Sequence, residues 1–148
     1  MKKLLSLLLS LSVVLSMTAV VALAANPLSR SDFSYGGREV KNYKNFVPRV
    51  LEGGDAFYYF VEPSDYCTKA NRGINIGSNY SKIGDAYGRA KVVKLSESSM
   101  PEYAKGDFTS HSRMRYTYKE SGKTFYKTFY IGWSGAKGTV TCVEYTNK

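Results

Sequence analysis

The apolar positions of this chain change period several times. Residues 4–21 are almost continuously apolar, relieved only by Ser and Thr. Further on, the pattern breaks into short segments. Phe33-Ser34-Tyr35 alternates, and Arg38-Glu39-Val40 follows Gly36-Gly37, which predicts a small hairpin with a Gly-Gly turn. Phe46, Val47, Val50 and Leu51 fall at helical spacing. They predict a short helix within 45–51 that starts close to Pro48 and stops at Gly53-Gly54. Residues 56–61 form a dense β-type run, closed by Glu62-Pro63-Ser64-Asp65.

In the next segment Tyr80, Ile83, Gly84 and Tyr87 share one helical face, with Ser78 as the N-cap and Gly88 as the stop. Residues 91–95 suggest a short strand, and 96–112 a long polar loop containing Pro101 and Gly106. Met114, Tyr116 and Tyr118 alternate with polar positions. Strands at 124–131 and 139–145, joined through a turn at 120–123 and a loop at 133–138, complete a three-stranded antiparallel meander. In its middle strand Phe125, Phe129 and Ile131 share one side, while Tyr126, Thr128 and Tyr130 share the other. The fold class is therefore α+β: an antiparallel sheet with a Tyr-rich C-terminal meander packed on one or two short helices. The two halves repeat an order of strand, turn, Gly-terminated helix and strands. That suggests an internal duplication with pseudo-repeats 32–66 and 67–148.

Composition adds a location. Lys2 and Lys3 precede the apolar run and Ala22-Leu23-Ala24 ends it, the pattern of a bacterial-type secretion signal. Residues 1–24 are expected to be removed, with the cut after Ala24 or, alternatively, Ala25. A retained membrane anchor is the competing reading, since the run is long enough to span a bilayer. No Cys follows the run to accept a lipid, so a secreted protein, extracellular or associated with the cell wall, is expected. What remains is a flexible leader at 25–31 and one domain at 32–148. The whole chain carries a net charge of +9, and loss of Lys2 and Lys3 would lower that to about +7. Such a charge favours anionic partners, although it also serves plain solubility.

Candidate chemistry is sparse. Cys67 and Cys142 are either a disulfide, which export would permit, or two buried thiols. His111 is the sole histidine. With Glu97, Glu102, Asp107, Arg113 and Arg115 near it in sequence, it is the one candidate centre for a small hydrolase such as a ribonuclease. One His and two distant Cys do not give a metal set with zinc spacing, and no cofactor motif is present. Lys and Arg interleave with aromatics along the meander. Arg115, Tyr118, Tyr126, Lys127, Tyr130 and Trp133 are accordingly the candidate binding residues, with Tyr126 and Tyr130 on an outward aromatic row.

Thr68, Arg72-Gly73-Ile74-Asn75-Ile76-Gly77-Ser78-Asn79-Tyr80-Ser81-Lys82-Ile83 and Ala86-Tyr87-Gly88 resemble a segment of uncharacterised secreted proteins and lipoproteins of Gram-positive, clostridia-like bacteria. The Phe33–Val40 stretch resembles the aromatic hairpin that opens those proteins. The helix-entry pattern is also similar to the repeat of the β-lactamase-inhibitor-protein fold. That resemblance implies a sheet on a short helical layer and function through protein binding; it implies no residue-level site. Together these readings favour a non-enzymatic module that recognises an extracellular protein or an anionic cell-wall polymer. They point to no specific nucleic acid and no membrane span after cleavage, and they do not fix an oligomeric state.

Overall fold

A computed structural model describes residues 27–33, 46–50 and 56–147. Its centre is a six-stranded antiparallel sheet in the order β1-β2-β6-β5-β4-β3. The strands are β1 (Phe46–Val50), β2 (Ala56–Phe60), β3 (Val93–Leu95), β4 (Ser110–Glu120), β5 (Lys123–Ser134) and β6 (Lys137–Asn147). Two short helices, α1 (Asp65–Ala70) and α2 (Ser81–Tyr87), lie between β2 and β3. A 3-10 turn at Arg30–Phe33 precedes the sheet, and two more, Glu97–Ser99 and Glu102–Ala104, lie between β3 and β4. The α+β class and the C-terminal meander stand.

The meander is tighter than its sequence pattern. The β4–β5 turn consists of Ser121 and Gly122 alone, at φ 50° and 76°, both in the left-handed region that a right-twisted hairpin requires. The expected loop at 133–138 contracts to Gly135-Ala136, because β5 continues to Ser134 and β6 begins at Lys137. A bulge at Thr141, between the Tyr130–Cys142 and Ile131–Val140 pairs, keeps both Val140 and Val143 on one side of β6.

The predicted helix at 45–51 is instead β1, paired with β2 from Phe46–Phe60 to Val50–Ala56. Four apolar residues cannot distinguish a helical period from a short strand. The β-branched Val47 and Val50 favour the strand, and Pro48 is tolerated because β1 is the outermost strand. The matching helix behind the suggested duplication is thus absent. Export signal, cleavage at Ala24 or Ala25, and Ser34–Val40 of the proposed hairpin lie outside the described residues; Phe33 is the end of a 3-10 turn.

One face of the sheet, the core face, carries Phe60, Met114, Tyr116, Phe125, Phe129, Ile131, Val140, Val143 and Tyr145. Cys67 and Ile74 from α1 and its exit, and Ile83 and Tyr87 from α2, pack onto it. The leader expected to be flexible is bound there where it is described. Leu28 and Phe33 join the core, Phe33 stacks on Tyr118 at 5.6 Å, and the Arg30 guanidinium lies 3.7 Å from the Phe125 ring centre.

Asp32 anchors this leader through Arg72. Their contact is bidentate, with Nε to Oδ1 and a terminal nitrogen to Oδ2 both at 2.6 Å. Burial pushes the Asp32 carboxyl upward, but the Arg72 hydrogen bonds, the Ser29 N–H and the nearby cationic charge hold it below the usual aspartate range.

The segment singled out by resemblance is architectural. Ser64 Oγ caps α1 by accepting from the Cys67 N–H at 2.9 Å. Arg72 at φ 50° and Gly73 at φ 84° reverse the chain, and the Gly73 N–H donates back to Thr68 O. Gly77 and Ser78 exchange backbone hydrogen bonds with Val140, stitching the segment to β6. Ser78 is not the cap of α2: its Oγ accepts from the Asn75 N–H, and Asn79 Oδ1 accepts from the Ser81 N–H instead. Gly88, at φ 84°, ends α2 as expected.

Candidate functional site

The opposite, outer face of the sheet is covered over only part of its area. Met100 and Ala104 of the 96–109 strap pack on Tyr130 and Cys142. Phe108 lies directly over Gly132, where a Cβ would collide with the ring. Tyr103 Oη donates to Glu144 Oε2 at 2.6 Å, and Thr141 Oγ1 donates to Ala104 O at 3.0 Å. The long polar loop is therefore a packed strap. Burial and the adjoining Glu144 carboxylate push the Tyr103 hydroxyl far above the normal tyrosine range, keeping it protonated and donating.

Beyond the strap the outer face continues along β4 and β5 as Arg113, Arg115, Thr117, Lys119, Thr124, Tyr126 and Thr128. Arg115 and Lys119 are exposed, and Arg113 and Tyr126 are partly so. Strand geometry sets Arg113 and Arg115 about 7 Å apart on the same side. Arg115 Nε donates to Thr128 Oγ1 at 3.0 Å, and its guanidinium lies 5.4 Å from the Tyr126 ring centre. That hydrogen bond uses Nε alone and ties the side chain to β5. Among the described residues no carboxylate makes a salt bridge to Arg113, Arg115 or Lys119. The result is a positive strip beside an aromatic ring on a rigid strand pair.

The six candidate binding residues do not share one surface. Arg115 and Tyr126 are together on the outer face. Tyr130 is on that face too, but 4% exposed beneath the strap, so the expected outward aromatic row ends at Tyr126. Lys127, Tyr118 and Trp133 belong to the core face, as their odd or even places in the ladder require.

Lys127 is fully buried. Its Nζ donates to Tyr87 Oη at 2.7 Å and Ala70 O at 3.2 Å, and it lies 4.7 and 4.8 Å from the ring centres of Tyr87 and Tyr145. Burial pulls the ammonium down to about 7, against a smaller upward pull from Asp32. Tyr145 Oη in turn donates to Asn71 Oδ1, and Asn71 Nδ2 donates to Cys67 O. This buried network escaped the sequence reading because its members come from distant parts of the chain. Arg113 and Lys119 have the same parity as Arg115 and so share its face of the sheet.

Cys67 and Cys142 are both free and fully buried. A disulfide between them is ruled out by the topology: Cys67 packs in the core-face cluster and Cys142 in the cluster under the strap. Burial pushes the Cys67 thiol up to about 11 and raises that of Cys142 as well. His111 is 7% exposed; its Nε2 lies 3.1 Å from Lys105 O and its ring packs edge-on to Phe108. Glu97, Glu102 and Asp107 make no hydrogen bond to it among the described residues, and Glu102 pairs with Lys105. These contacts are those of a residue that fastens the strap. Among the described residues no three His, Cys, Asp or Glu side chains are grouped to hold a metal ion, and no helix is long and apolar enough to cross a membrane.

In comparisons with known proteins, no family model, no curated protein and no solved structure matches the chain.

Proposed function

We propose that this protein is a secreted, non-enzymatic binding module that recognises an acidic extracellular partner, either a protein or an anionic cell-wall polymer. The observation that carries this reading is the strip formed by Arg113, Arg115 and Lys119. These cations lack carboxylate partners among the described residues and lie on the part of the sheet that neither the helices nor the strap covers. Leaving them unneutralised raises the local potential toward an approaching anion. Tyr126 supplies flat contact area beside them at small entropic cost.

The test is cosedimentation with purified bacterial cell walls at low salt, comparing the wild type with an Arg113→Gln/Arg115→Gln double variant. The double variant should bind about tenfold more weakly, and wild-type binding should fade as salt rises past about 0.3 M. Equal binding by the two proteins would remove the strip from the account.

A further inference from the structure

A second surface feature lies on the core face, beyond the helices, across β3, the start of β4 and the β5–β6 turn. It is an open groove of about 280 Å³ lined by Val92, Lys94, Ser110, His111, Ser112, Trp133 and Gly135. Trp133 is partly exposed and its indole is held from several sides. Nε1 donates to Ser112 Oγ at 2.7 Å. The Tyr80 ring lies against it with centres 4.7 Å apart. Gly138, where a Cβ would come within 2.9 Å of the indole, lets the β6 backbone close in on it. A ring fixed in this way loses little conformational freedom when something stacks on it.

The other walls are chemically specific. Val92 is an exposed large hydrophobic side chain, at 39%, and its exposure is explained if an apolar surface of a ligand covers it. Lys94 is exposed and has no salt-bridge partner among the described residues. Ser110 is exposed and offers a hydroxyl, whereas Ser112, 1% exposed, serves to hold the indole. A flat aromatic plate, an aliphatic wall, an exposed hydroxyl and a cation without a salt-bridge partner among the described residues border an open groove with room for a single sugar ring.

We propose that this groove binds one pyranose unit bearing a carboxylate. The C–H face of the ring lies on Trp133 and Val92, a ring hydroxyl meets Ser110, and its carboxylate meets Lys94. The groove lies on the opposite face of the sheet from Arg113 and Arg115, so it is independent of the binding strip.

Trp133 is the chain's single tryptophan, so its fluorescence reports on this groove alone. Glucuronate should change the emission saturably in the millimolar range, and glucose should bind about fivefold more weakly. Lys94→Gln should bring glucuronate down to the level of glucose. Val92→Arg, which fills the groove, should abolish both responses while leaving the circular dichroism of the folded protein unchanged. The proposal is overturned by an emission that neither sugar changes saturably up to about 100 mM, by equal affinity for the two sugars, or by a response that survives Val92→Arg.

Discussion

Lys127 lies between Phe125 and Phe129 on the core face, closed in by Tyr87 and Tyr145. Its folded-state pKa is about 7, against 10.5 for a free lysine. Between those values the unfolded chain holds a proton that the folded chain has released, so stability must rise with pH. Urea unfolding should show a gain of about 2 kcal/mol from pH 7 to pH 9, and Lys127→Met should remove that slope; a flat wild-type profile would contradict the burial. Asp32 follows the opposite rule. Its carboxyl is held below 3.8, so its contribution is complete above that value and is lost as pH falls through the folded-state pKa. Asp32→Asn should lower stability by about 2 kcal/mol at pH 7, measured by urea unfolding, with the difference shrinking in acid. The alternation that puts Phe125, Phe129 and Ile131 on one side passes through position 127 as well. The residue type pointed outward instead, and its hydrogen-bond partners lie 40 and 57 residues away in the chain, beyond the reach of any local pattern.

Elements with strong local signals were legible. The alternation of β4 and β5 and the Ser121-Gly122 turn place those strands in their observed register, and Gly88 stops α2 where its missing Cβ makes φ 84° cheap. β1 was not legible, because its identity depends on pairing with β2 rather than on its own period. The strap was read as a loop for the same reason: its order comes from Phe108 on Gly132 and Tyr103 on Glu144, contacts made only after the sheet exists. Tyr103→Phe removes the 2.6 Å hydrogen bond to Glu144 and leaves the Tyr130 contact at 3.5 Å. It should cost about 1–2 kcal/mol of stability and speed hydrogen exchange across residues 97–108. Unchanged exchange in that segment would mean that the tyrosine does not fasten the strap.

At the scale of the whole molecule the sheet sorts its two faces by task. The helices and the leader close the core face around Phe129 and Ile131, and the strap closes part of the outer face around Tyr130 and Cys142. The basic strip lies on that outer face beyond the strap, along β4 and β5. The candidate binding residues come from both sides of β4 and β5: Arg115, Tyr126 and Tyr130 from the outer face, Lys127, Tyr118 and Trp133 from the core face. Composition showed a basic, aromatic chain; only the ladder parity and the covering elements show which cations remain open to a partner. The most direct test is backbone amide chemical-shift mapping by NMR as poly-L-glutamate is added at low salt. The account predicts perturbations concentrated at Arg113, Arg115, Thr117, Lys119, Tyr126 and Thr128, fading as salt is raised. Perturbations spread evenly over all surface lysines and arginines, or centred on the helical side, would contradict it.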